Sequence, residues 1–153
     1  MRGADHAEGR WGLDSQRSIT EHNLSRLVAL LQPLRVSIVL LEPDQTTAQG
    51  EWNYRRRESR IHPLVLKAGL KAFSQTLHHE VLHVTQSCSG GGVTRPPEVI
   101  SFDSPPSHRV NAILRRPPYA GLSQGVLDLE REAFEQQDQS ALVRELLKQF
   151  CLP

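Results

Sequence analysis

The pentapeptide His79-Glu80-Val81-Leu82-His83 gathers two imidazoles and a carboxylate within reach of one metal ion. In a helix, residues i and i+4 lie one turn apart on the same face, so His79 and His83 can offer nitrogens to a single ion. Glu80 then stands beside that ion. The chemistry this supports is the deprotonation of a zinc-bound water by the carboxylate. A catalytic zinc takes three protein ligands and keeps one position open, so the two histidines need a partner from another element.

The spacing predicts that the pentapeptide sits on one helix running from Leu64 to Cys88, with Pro63 at its first position. Leu66, Leu70, Phe73, Leu77, Val81 and Val84 recur along it at helical intervals and form the face expected to meet the core. At about 100° per residue, His79 and His83 project away from that stripe together with Ala72 and Thr76, and Glu80 falls between the two faces. A second helix is expected over Leu122 to Gln137. Its apolar face carries Val126, Leu127, Ala133 and Phe134, and Glu130 lies within that same face. A carboxylate buried there must find a cation, a donor or a metal. Glu132 falls with Asp128 and Gln136 on the polar side.

The elements that must hold these two helices read as follows. Residues 1–17 are polar and predict a flexible lead-in, and 18–153 form a single domain. Ile19, Leu24, Leu27, Val28, Leu30 and Leu31 make a helical stripe that starts near Ser18 or Thr20 and stops at Pro33. Arg35 to Leu41 predicts a buried strand, and Ala48 to Ile61 two further strands with a turn near Glu58. Arg55-Arg56-Arg57 is read as a charge run on an exposed strand or turn rather than a nucleic-acid patch. Residues 89–118 are rich in Gly, Pro and Ser. Only Val99 to Phe102, and a short helix over Val110 to Leu114 capped by Ser107, look ordered there, and a loop this long suggests a wall or lid. Ser140 to Phe150 predicts a final helix with Leu142, Val143, Leu146, Leu147 and Phe150 inward.

Composition narrows the function classes. The chain has 153 residues and is 38% hydrophobic, enough for one core. With 18 Lys and Arg against 17 Asp and Glu, no net field draws it to nucleic acid or anionic membrane. No apolar run approaches the length of a membrane span, and the first residues lack the apolar core of a signal peptide, so a cytoplasmic location is expected. Cys88 and Cys151 form no C-x-x-C pair and are expected to be two buried thiols.

These motifs and their order resemble the gluzincin group of zinc metallopeptidases, in particular its minimal single-domain, minigluzincin-like members. The matching residues are His79, Glu80 and His83, followed by Glu130-Arg131-Glu132-Ala133 as an E-x-x-A segment. The resemblance implies an α+β, zincin-like fold. Its order is an N-terminal helix, a small three-stranded sheet, the H-E-x-x-H helix, the long loop, a Glu-bearing helix and a C-terminal helix. It also implies that Glu130 is the third zinc ligand. Phe134 departs from the pattern, because many relatives carry there an Asp that orients the first histidine. The longer H-E-x-x-H-x-x-G-x-x-H pattern does not fit, since the chain has Gln86 and Ser89 at the two diagnostic positions.

The expected function is zinc-dependent hydrolysis of peptide bonds, with one Zn2+ on His79, His83 and Glu130, Glu80 as general base and acid, and a peptide or protein as substrate. A substrate strand is expected to add to the Gly50 to Tyr54 strand. His108 and Tyr119 are candidate donors to a developing oxyanion, and His78 points elsewhere on the helix. Two alternatives come from other classes: a non-catalytic, metal-stabilised regulatory or interaction domain, and a helical binding module without metal.

Overall fold

The computed structural model describes residues 5–45, 47–101 and 105–152, with side chains from Ser15 onward; Phe102 and part of the expected lead-in fall outside these residues. The protein is α+β. Among the described residues it has six α-helices and one three-stranded mixed sheet, in the order α1 (Asp5–Leu31), β1 (Ser37–Leu40), β2 (Gly50–Asn53), β3 (Glu58–Ile61), α2 (Pro63–Lys67), α3 (Leu70–Ser89), α4 (His108–Leu114), α5 (Gln124–Gln136) and α6 (Ser140–Cys151). Among the described residues no helix is long and apolar enough to cross a membrane.

Helix α1 begins at Asp5 rather than near Ser18, so much of the segment read as a lead-in is helical. Among its described side chains Leu24, Leu27 and Leu31 are buried, while Ile19 and Val28 from the predicted stripe stay exposed. Pro33 stops it through a short 3-10 turn over Gln32–Leu34, and Arg35 reverses the chain in the left-handed region.

β3 is the central strand, parallel to β1 and antiparallel to β2. The strand predicted over Arg35 to Leu41 is shorter and is not buried. It forms one edge of the sheet, which leaves Leu40 and Leu41 about half exposed. β3 takes the buried place instead, with Ser59, Arg60 and Ile61 enclosed. Arg60 is tolerated there because Glu58, at 2.7 Å, and Asp44, at 2.8 Å, neutralise its guanidinium. The three arginines lie in the tight turn between β2 and β3, where Asn53 Oδ1 accepts from Arg56 N at 3.1 Å and Arg57 takes φ 52°.

The single helix predicted from Leu64 to Cys88 is two helices. Gly69, at φ 118°, separates α2 from α3 in a conformation that residues with a side chain rarely adopt. The stripe is broken there, so Leu64 and Leu66 on α2 are exposed while Leu77, Val81 and Val84 on α3 are buried. From Thr76 to Ser87 every residue of α3 is buried, on its polar side as well as its apolar one. It is the axis of the fold, packed on α5, α6, α1 and the sheet. The core behind it combines Leu27, Leu31, Ile61, Ala133, Val143 and Leu147. Two hydrogen bonds then decide details that the site needs. Trp52 on β2 donates through Nε1 to Ser87 Oγ at 2.9 Å and pins the sheet edge to α3. Ser107 caps α4 by accepting from Val110 N, as its sequence predicts.

Cys88 and Cys151 are not free thiols. They form a disulfide with Cα atoms 5.3 Å apart, joining the last turn of α3 to the last turn of α6. Disulfides persist in oxidising compartments, so any cytoplasmic residence has to accommodate this one. The bridge spans 63 residues of sequence, and the chain-entropy cost of such a loop amounts to about 4 kcal/mol. Cys151→Ser is therefore expected to lower the unfolding free energy, read from urea denaturation in non-reducing buffer, by about 4 kcal/mol, with a lower midpoint. A midpoint equal to that of wild type would show that the bridge contributes nothing.

Candidate metal centre

The three predicted ligands converge. His79 and His83 project from α3 one turn apart, and Glu130 reaches them from the facing side of α5. His79 Nε2 lies 3.0 Å from Glu130 Oε2, His83 Nε2 lies 3.5 Å from Glu130 Oε1, and the two histidine Nε2 atoms are 3.1 Å apart. Ligands about 2.0–2.1 Å from a tetrahedral ion stand about 3.3 Å from one another, so the two imidazole nitrogens and the Glu130 carboxylate, which meets each of them through a different oxygen, lie near the separations that such an ion requires. His79, His83 and Glu130 could hold a metal ion.

The electrostatics fit that use. Burial alone would discharge His83, but the Glu130 carboxylate, by its field and its hydrogen bond, pushes the imidazole up to about 9. Glu130 shows the reciprocal effect: burial would raise it, yet His83 and His79 hold it well below the usual carboxylate range. Three acceptor atoms facing one point demand a positive charge between them, either a proton or a metal ion.

Each imidazole is oriented from behind by an amide. Gln137 Oε1 lies 3.2 Å from His79 Nδ1, and Gln86 Oε1 lies 2.8 Å from His83 Nδ1. An acceptor on Nδ1 places the ring proton there and leaves Nε2 free for the ion. Phe134, where an orienting acid was expected, instead packs its ring on His79 at 4.4 Å between centroids. The acceptor facing His79 Nδ1 is thus found at Gln137, one turn beyond position 134.

Glu80 is 3% exposed, and its Oε2 is buried without a hydrogen-bond partner among the described residues. Burial raises its pKa above the usual carboxylate value, against the pull of His83 and His79. Its other oxygen rests on β2 at Gly50. A Cβ built on that residue would stand 2.5 Å from Glu80 Oε1, so only glycine lets strand and carboxylate approach this closely. The cleft over the three ligands, about 200 Å³ in volume, is walled by Gly50, Glu51 and Trp52 of β2 on one side and by Leu129 and Phe134 of α5 on the other. Tyr119 also lines it, packs edge-on against Phe134 at 5.3 Å, and has its hydroxyl pKa raised by burial and by the charges of Glu130 and Glu80. His108 is exposed on the first turn of α4 and takes no part in the cleft.

No family model, curated protein or solved structure matches this chain. The gluzincin resemblance rests on the residues themselves.

Sequence reasoning missed three contributors. Gln86 follows His83 by three residues, on the face that carries the histidines, and Gln137 lies two helical turns beyond Glu130. Either could have been found by asking which polar residues extend the ligand face of each helix. Glu132 was expected on the solvent side. It turns instead toward Gln86, at 2.9 Å, and toward the main chain of Ile100 and Ser101.

Proposed function

We propose that this protein is a zinc-dependent hydrolase of the gluzincin kind that cleaves peptide bonds. The observation that carries the reading is the juxtaposition of three converging ligand atoms with a buried, unpartnered carboxylate. Without a reaction to serve, the Glu80 Oε2 atom would be a costly orphan. His79, His83 and Glu130 would hold the zinc ion, which would supply Lewis acidity to the site. Glu80 takes the proton of the attacking water and passes it to the leaving amine, a task suited to a carboxyl whose pKa burial has raised. Tyr119, whose raised pKa keeps its hydroxyl protonated, donates to the oxygen that becomes negative as the carbonyl is attacked.

The substrate backbone adds to β2. Among the described residues this strand pairs with β3 on one side only and borders the cleft along Gly50 to Trp52, so an extended peptide can bond to its other edge. Gln137 provides the acceptor on His79 Nδ1 that Phe134 cannot, which supports the catalytic reading over a non-catalytic domain.

The direct test compares wild type with Glu80→Gln on a peptide library in the presence of zinc. Zinc-dependent cleavage by the wild type alone supports the reading, and equal inertness of both proteins with zinc bound defeats it. A second expectation concerns the approach of strand and base. Gly50→Ala must displace Glu80, and a shift of about 1 Å in a catalytic group costs ~10²-fold in rate. Bound zinc should stay at the wild-type level, and an unchanged rate would mean that Glu80 is not fixed by β2.

A further inference from the structure

The connection between α3 and α4 is attached to the metal centre at one place. We propose that Gln86 is the positioning residue of His83 and that Glu132 ties both to the main chain of Ile100 and Ser101, so that metal binding and the placement of this loop segment are coupled. The inference rests on the reading of His79, His83 and Glu130 as ligands.

Hydrogen-bond accounting carries it. Gln86 is fully buried, and its amide offers one acceptor oxygen and two N–H donors. Its Nε2 lies 2.9 Å from Glu132 Oε1 and 3.1 Å from Leu129 O, and both of those atoms can only accept. The amide therefore has a single orientation. Its oxygen must face His83 Nδ1 at 2.8 Å, and an oxygen there requires the ring proton on Nδ1. Once the ring gives up its second proton to a metal ion, the bare nitrogen is Nε2, which faces the ligand cluster. A free imidazole would divide between two tautomers, and Gln86 selects the one that can bind a metal.

Glu132 is what holds Gln86 in that orientation, and it is in turn held by the loop. Its Oε1 accepts from Ile100 N and its Oε2 from Ser101 N, each at 2.8 Å. Ser101 takes φ 70°, in the left-handed region that residues with a side chain seldom adopt. The same segment meets Gln86 a second time, where Glu98 N donates to the Gln86 main-chain oxygen at 3.0 Å. Residues 98–101 thus clasp Gln86 at both its backbone and, through Glu132, its side chain. Helix α5 supplies the ligand Glu130 and the tether Glu132 two positions apart, so a movement of the loop is felt at the ion from two directions.

The test uses the full chain and zinc alone. Gln86→Met keeps length and volume but removes both the acceptor and the donors. Competition against a chelator should show zinc affinity falling by about 10–100-fold. The visible spectrum of the Co2+-substituted protein should shift as the His83 ring loses its fixed orientation, a change that a merely structural role would not produce. In wild type, hydrogen exchange at the Ile100 and Ser101 amides should slow when zinc is added. In Glu132→Gln, whose amide must set an N–H against one of those donors, that zinc-dependent protection should be lost. Should Gln86→Met fail to fold, Glu132→Gln carries both the affinity and the exchange measurements. Zinc affinity within twofold of wild type, with an unchanged cobalt spectrum and unchanged protection, overturns the coupling. If wild type itself binds no zinc, the metal reading fails first and this inference with it; if wild type binds zinc and cleaves nothing, only the hydrolase reading is lost.

Discussion

Glu80→Gln is expected to lower peptide hydrolysis by roughly 10²–10⁴-fold, the contribution of a positioned general base and acid, while leaving bound zinc unchanged. The amide has the shape of the carboxylate, so its packing on Gly50 survives. It cannot accept a proton. The environment explains why the loss falls on turnover and not on metal: Glu80 lies beside the ligands, not among the three converging atoms. The same change should stabilise the protein when zinc is removed by a chelator. A carboxyl whose folded pKa is raised above its unfolded value destabilises the fold when ionised, and it does so fully only above the folded pKa. The variant should therefore be the more stable protein at neutral and alkaline pH. The two stabilities should converge as pH falls towards the ordinary carboxylate value of 4.5. Chemical denaturation at several pH values measures this. A variant as active as wild type would remove Glu80 from the mechanism, and a variant less stable at every pH would contradict the cost assigned to burying its charge.

The parts of this site that sequence could reveal are those encoded within one helix turn. His79 and His83 are paired by their spacing alone, and Glu130 is conspicuous because a carboxylate interrupts an apolar face. Ser107 likewise announces α4 through its own cap. Features decided by distant segments were not legible. Gly69 lies inside an otherwise continuous helical stripe, and a lone glycine is tolerated there at modest cost, so its identity alone does not mark the break that its φ of 118° makes between α2 and α3. Glu132 sits on the side of α5 away from Glu130, which a helical wheel reads as solvent. The loop at Ile100 and Ser101 occupies that space instead. β1 has the β-branched composition of a buried strand, yet sheet order gives the centre to β3, whose Arg60 is acceptable there only because Glu58 and Asp44 meet it. Cys88 and Cys151 are brought together by the alignment of α3 with α6, which no spacing rule across 63 residues encodes.

Glu130→Gln is expected to weaken zinc binding by more than the ~100-fold that loss of an orienting partner costs, because it replaces a charged ligand rather than its support. It should also change how binding depends on pH. In wild type the Glu130 carboxylate holds His83 protonated up to about 9, so zinc must displace that proton anywhere below this value. Apparent affinity should then rise about tenfold per pH unit from the ordinary histidine value of 6.5 to about 9, and level off above. Once the carboxylate is neutralised, the largest remaining influence on His83 is burial, which disfavours its charged form. The proton leaves at lower pH and the slope flattens within that window. Affinity therefore falls most at alkaline pH, where wild type has shed the competing proton, and the gap between the two proteins narrows towards neutrality. Glu132→Gln should not behave this way, since Glu132 touches neither imidazole and acts only through Gln86. Chelator competition at a series of pH values separates the two carboxylates. A Glu130→Gln protein with wild-type affinity and wild-type slope would place the third ligand elsewhere, and with it the pairing of α3 and α5 as the two halves of one metal site.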